Sequence, residues 1–120
     1  MATILIVDDA SLIRSVAKKA ATAAGHEVIV AEDGQKGLDA LQHAKFDLIF
    51  SDVNMPVMGG LEMVGIIKGM DEYKFTPVVM LTTESNPELK AKGKELGVKA
   101  WLLKPFNKDK FLMAVEKLLG

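Results

Sequence analysis

Five short apolar runs punctuate the chain, at residues 4–7, 28–31, 48–51, 78–81 and 100–103. Valine and isoleucine dominate the early ones, and turn-forming or charged residues bound them. Four of the five lack polar alternation, the pattern of strands covered on both faces. Between and after them, apolar residues recur at helical spacing over about 11–24, 35–44, 60–69, 87–96 and 108–119. Ser11 stands before Leu12, Ile13 and Val16; Asn86 precedes Pro87; Asn107 precedes Phe111, Leu112 and Val115. These are polar caps, one with a proline suited to the first helical position. Gly25 and Gly97 fall where a left-handed residue would stop a helix, and Glu32-Asp33-Gly34 reads as a turn opening the second one. Five strands alternating with five helices predict an α/β, doubly wound parallel sheet with helices on both faces. Ligands of such sheets bind beyond the carboxyl ends of the strands, where the strand order reverses.

The residues that follow the strands therefore carry the chemistry. Asp8-Asp9 follows the first, Asp52 the third, Thr82-Thr83 the fourth and Lys104-Pro105 the fifth. The topology gathers three carboxylates, a hydroxyl and an ammonium on one rim. Crowded carboxylates repel unless positive charge offsets them. Lys104 supplies one charge, and a hard divalent cation would supply two more. With no histidine or cysteine beside them, oxygen ligands select magnesium, manganese or calcium over zinc. A few carboxylates completed by waters and a phosphate suit Mg²⁺ better than calcium. Lys104 can neutralise phosphate oxygens, Thr82 can donate to one, and a carboxylate can form an aspartyl phosphate. Asp52 is the candidate nucleophile, because it leaves the middle strand between the acidic pair and the Thr/Lys side. Catalysis would be positioning and charge neutralisation. Each element alone is weak, since acid pairs charge helix starts and Lys-Pro is a common loop dipeptide. Their joint order carries the inference.

At 120 residues and 49% hydrophobic, the chain fits one domain. It has no cysteine, which excludes disulfides, thiolate metal sites and cysteine nucleophiles. Its apolar runs are far shorter than the roughly 20 residues that span a bilayer, and no basic segment opens a secretion signal. A cytoplasmic protein with no membrane association is expected. The net charge of −1 hides an asymmetry: residues 1–85 hold twelve acids and seven bases, residues 86–120 four acids and eight lysines. Those lysines stand singly among acids and apolar residues, with no arginine. They read as a solvated face or a docking surface for an acidic peptide, not as a nucleic-acid site. His26 and His43 are isolated and read as surface histidines; the seven methionines read as core filler.

Four segments, ILIVDDASLIR at 4–14, DLIFSDVNMPVMGGLEM at 47–63, VVMLTTES at 78–85 and WLLKPF at 101–106, resemble the response-regulator receiver family, in its single-domain chemotaxis branch. The resemblance covers essentially the whole chain. It implies a flavodoxin-like (βα)5 fold with strand order 2-1-3-4-5. It implies phosphorylation of Asp52, with Mg²⁺ held by Asp9, Asp52 and the main-chain carbonyl of Asn54, and by Asp8 mainly through water. Lys104 would pair with the phosphoryl group or Asp52, and Thr82 would be the switch hydroxyl. Lys104-Pro105 resembles the family's cis peptide, against a base rate of about 5–6% for X-Pro bonds. The side chains of Asn54 and Glu84 stand where the family tunes acyl-phosphate hydrolysis. A histidine kinase would supply the phosphoryl group. The effector, such as a flagellar motor switch protein, would dock on the surface of residues 86–120, and a phosphatase is a further partner. The expected product is a monomeric signalling switch, catalysing its own phosphoryl transfer and slow dephosphorylation but not an enzyme in the ordinary sense. A single receiver domain over residues 1–120, without an output domain, is expected. The alternatives are a phosphorelay intermediate or phosphate sink and, more distantly, a magnesium-dependent phosphatase with an aspartyl nucleophile. That enzyme needs a second acid where Asn54 stands.

Two features leave alternatives open. The family's switch aromatic is commonly Tyr or Phe, and here it is Trp101. The indole either swings inward as Thr82 moves, giving a weaker or differently shaped switch, or merely covers apolar surface on an edge strand. The fourth helix has only Leu89 and Leu96 as large apolar anchors, with Gly93 on the same face as Leu89. Either it is the least stable helix and shifts on phosphorylation, or Gly93 lets it sit close to the sheet.

Overall fold

The computed structural model describes residues 1–83 and 86–119. Its strands are β1 (Thr3–Val7), β2 (Glu27–Ala31), β3 (Leu48–Asp52), β4 (Val78–Thr82) and β5 (Ala100–Leu103). Its helices are α1 (Ser11–Ala23), α2 (Gly34–Ala40), α3 (Gly60–Lys68), α4 (Pro87–Glu95) and α5 (Lys108–Leu119), with a short 3-10 turn at Asp71–Tyr73. The strands pair in parallel in the order β2-β1-β3-β4-β5, the flavodoxin-like arrangement. The chain leaves β1 for one edge and returns past it to β3, so strand order reverses between β1 and β3.

The uninterrupted apolar runs have the expected cause. β3 and β4 are buried along their whole length, and so is β1 after Thr3. Successive side chains point to opposite faces, so two cores form. Leu5, Val7, Ile49 and Met80 face Met63, Val64 and Ile67 of α3. Ile4, Ile6, Phe50 and Leu81 face Ala17, Ala20 and Ala21 of α1 and Phe111 and Val115 of α5. The alanine stripe lets α1 lie close, and Phe50 meets Phe111 at a centroid separation of 4.7 Å. Each fully buried aliphatic side chain contributes about 1.5–3 kcal/mol. The strand ends on the central strands are therefore firmly placed.

Helix signals were correct at most ends. Asn86 accepts from the N–H groups of Glu88 and Leu89 with Pro87 at the first position, and Asn107 accepts from Lys110 N–H. Asp33 caps α2 through Lys36 N–H, while Gly25 (φ 93°) and Gly97 (φ 90°) are left-handed. Two expectations are corrected. Ser11 is already helical, and Ala10 occupies the cap position with no side-chain bond of its own. The α2 helix stops at Ala40 rather than near 44, because Leu41, Gln42 and His43 donate to carbonyls three residues back and tighten the chain into turns. His26 is corrected too: it is half-buried, and its Nδ1 accepts the N–H of Ala2 at 3.1 Å. Among the described residues, no helix is long and apolar enough to cross a membrane.

Candidate functional site

The carboxyl rim of β1, β3, β4 and β5 gathers the polar residues the sequence singles out. Asp8 directly follows β1 and is fully buried; Asp9 beside it is exposed. Asp52 ends β3 with 8% exposure, and Thr82, also buried, ends the neighbouring strand β4. Lys104 follows β5 and lies mostly buried, and its peptide bond to Pro105 is cis. Its ammonium reaches Asp8 Oδ2 at 2.7 Å and Asp52 Oδ1 at 3.3 Å.

Backbone donors hold the two buried carboxylates. Ala10 N–H donates to Asp8 Oδ1 at 2.8 Å, and Val53 N–H to Asp52 Oδ1 at 2.9 Å. Ser51 Oγ donates to the Asp52 carbonyl at 2.9 Å. Asp8 Oδ2 has no hydrogen-bond partner beyond the Lys104 ion pair among the described residues. Carboxylate oxygens of Asp8, Asp9 and Asp52 lie within 4.8 Å of one another.

The electrostatics follow. Burial raises the Asp52 carboxyl to about 6; the charge of Asp8 adds to this, Lys104 opposes it, and the nearness of Asp9 raises it further. Burial works against the charged Lys104, yet Asp8 and then Asp52 outweigh it, and its pKa is raised. One ammonium thus cannot satisfy the cluster: negative charge remains in excess, on oxygen atoms alone. An incompletely partnered buried oxygen and three convergent carboxylates fit a hard divalent cation.

Other predicted residues stand nearby or apart. Asn54 is exposed, two residues beyond Asp52. Trp101 is half-buried in β5, opposite Met80, and packs on the α3 side of the sheet. Glu84 lies outside the described residues.

Three contributors escaped sequence reasoning. Arg14, in the first turns of α1, donates from Nη1 to the Asp8 carbonyl at 2.6 Å and so fixes the backbone that carries the acid pair. A cation near a helix N-terminus opposes the macrodipole, and that misfit was the available signal. At Gly60, a Cβ would stand 2.0 Å from the Asp52 carbonyl oxygen, so only glycine lets α3 begin there. Val57, in the loop after Asp52, has φ 66° although β-branched, and is 83% exposed.

Comparison with known proteins agrees with this geometry. Residues 4–116 match the response regulator receiver domain. The chain is 34% identical over 113 residues to the protein PilG of Pseudomonas aeruginosa, covering 94% of this chain and 84% of that one. It is 33% identical to a chemotaxis protein CheY homolog of Campylobacter jejuni, over 98% of this chain and 92% of that one. The solved structure of the Vibrio cholerae chemotaxis protein CheY4 superposes with a TM-score of 0.95 at 47% identity, covering 98% of each chain. The chain belongs to the response regulator receiver domain family, and is a CheY-like, phosphorylation-activated switch of two-component signalling.

Proposed function

We propose that Asp52 is the phosphoacceptor and that Asp8, Asp9 and Asp52, with the main-chain carbonyl of Asn54, hold a magnesium ion beside it. The observation that carries this reading is the Lys104 ammonium, which bridges Asp8 and Asp52 within a three-carboxylate cluster at the strand-order reversal. Bound there, magnesium would neutralise charge on the phosphoryl oxygens. The protein's own groups do the rest. Val53 N–H and Lys104 fix the Asp52 carboxylate, and Arg14 and Ala10 N–H fix Asp8. The phosphorus–nitrogen bond of a phosphohistidine donor breaks as an oxygen–phosphorus bond to Asp52 forms; the imidazole keeps the electron pair. Lys104 then turns from Asp52 toward the new phosphoryl oxygens, and Thr82, at the end of the adjacent strand, supplies a hydroxyl donor. Asn54 and Glu84 would set how readily water reaches the acyl phosphate.

The donor is a histidine kinase, and the effector docks on the surface of residues 86–120. Exposed Lys90, Lys92, Lys94 and Lys110, with exposed Leu103 and Met113, support an acidic, partly apolar partner. A phosphomonoesterase reading lacks its second acid, because Asn54 stands there.

Incubation with acetyl phosphate and Mg²⁺ should add one phosphoryl mass to the intact chain, and Asp52→Asn should abolish it. An unchanged mass, or labelling that survives the substitution, overturns the assignment.

A further inference from the structure

Gly93 is the one buried residue of α4. A Cβ built there would stand 2.5 Å from Cζ2 of Trp101, 3.3 Å from Cε2 and 3.4 Å from Cη2. The space a side chain would occupy is filled by the benzo edge of the indole. Trp101 in turn packs against the core on the α3 side of the sheet, as do Leu89 in the first turn of α4 and Leu96 just past its last residue. The glycine is costly in its own element, since in a helix interior it is about four- to fivefold less favourable than alanine. Its φ is ordinary, so backbone geometry does not require it.

We infer that Gly93 is the positioning residue for Trp101: its missing side chain is the slot that seats the indole half-buried between α4 and β5, so that helix and strand are registered on one another through that ring. Trp101 lies opposite Met80, two residues before Thr82 on the same face of β4. The slot therefore sets where the indole stands relative to the rim. A flat, rigid ring with several atoms at the slot cannot yield by bending, unlike the end of a lysine or methionine. An added methyl must either turn the indole outward or lift α4 from the sheet. The slot does not depend on whether Asp52 accepts phosphate.

The test is a double-mutant cycle between positions 93 and 101, read by urea unfolding and by the emission of the chain's single tryptophan. With Trp101 present, Gly93→Ala should lower the folding equilibrium constant about tenfold, as overpacking does. It should also shift emission toward that of exposed indole. In the Trp101→Ala background the same change should raise the constant about fourfold, because the slot is empty and alanine favours the helix. Trp101→Leu provides a second background that retains apolar volume. If Gly93→Ala alone does not fold, the double variant decides: it must be at least as stable as Trp101→Ala. A coupling below about twofold, the ordinary scatter between independent sites, overturns the inference. So does a Gly93→Ala protein that is more stable than the parent with unshifted emission. Labelling by acetyl phosphate should be the same in the parent and in Gly93→Ala. Its absence from both would count against the phosphoacceptor and leave the slot standing.

Discussion

At the amino rim of the sheet, polar groups are met. Thr3 N–H donates to Asp47 Oδ2 at 2.9 Å and Ala2 N–H to His26. Tyr73 Oη accepts from Phe46 N–H at 3.3 Å and donates to the Ala44 carbonyl at 3.4 Å. The Lys68 ammonium is ringed by the carbonyls of Tyr73, Lys74 and Thr76. At the carboxyl rim the balance is reversed. Three carboxylates converge, two of them on one lysine, Asp8 Oδ2 is left with an ion pair alone, and Val57 holds a left-handed backbone with a β-branched side chain. The same strands run between the two rims, so the fold does not force the difference. The rim with matched donors and acceptors fastens loops to the sheet. The rim with surplus negative charge is destabilised as it stands, and that surplus is what a cation and a phosphoryl group can relieve.

The largest effect should come from removing the lone ammonium. Lys104→Ala leaves fully buried Asp8 beside Asp52 with no cation paired to either carboxylate among the described residues, the Arg14 guanidinium being held on the Asp8 carbonyl. In metal-free buffer at pH 8 it should cost about 3 kcal/mol in urea unfolding, as for a broken buried pair. An unchanged midpoint would mean the rim is not crowded. The opposite sign is expected for Asp52→Asn. Its carboxyl is raised from 3.8 to about 6, so the folded state favours the neutral form. Ionising it costs nothing extra below about pH 4; the cost develops between about 4 and 6 and persists above. The asparagine variant should thus be more stable than the parent by about 1–2 kcal/mol at pH 8, discounted for partial solvent access. The gain should vanish near pH 4. Mg²⁺ should then stabilise the parent more than the variant, since binding to the folded state alone adds stability. A gain that grows on acidification would have the wrong sign.

The amino rim supplies the smaller contrast. Tyr73→Phe removes a hydroxyl whose two bonds are long, 3.3 and 3.4 Å, and should cost about 1 kcal/mol. A loss as large as that of Lys104→Ala would erase the distinction between the rims.

The strands could be read from sequence because a parallel sheet covered on both faces demands unbroken apolar runs. The carboxyl rim could be read because its polar residues follow those runs directly. What stayed hidden depends on partners distant in sequence or on the backbone. Ser11 looked like a cap, but the acceptor at that turn is Asp8 Oδ1, which takes Ala10 N–H. Leu41 extended the apparent period of α2 because it packs in the core, although its backbone has already entered a tight turn. Arg14 stands on α1 with nothing in the local sequence to name its acceptor, a main-chain carbonyl in the turn before the helix. Gly93 allowed two readings, and only the position of the indole against it speaks for close approach.

The smallest effect concerns Val57. An L residue in the left-handed region costs roughly 1–2 kcal/mol, and a β-branched one has no local hydrogen bond to offset it. At 83% exposure its side chain has little packing to lose. Asparagine tolerates φ near 66° far better. Val57→Asn should therefore raise the urea midpoint, with an unchanged slope, by the equivalent of about 0.5–1 kcal/mol. No gain would mean that the backbone is at ease there, and the tension on the carboxyl rim would be electrostatic alone. A gain would make it steric as well, in the loop that directly follows Asp52.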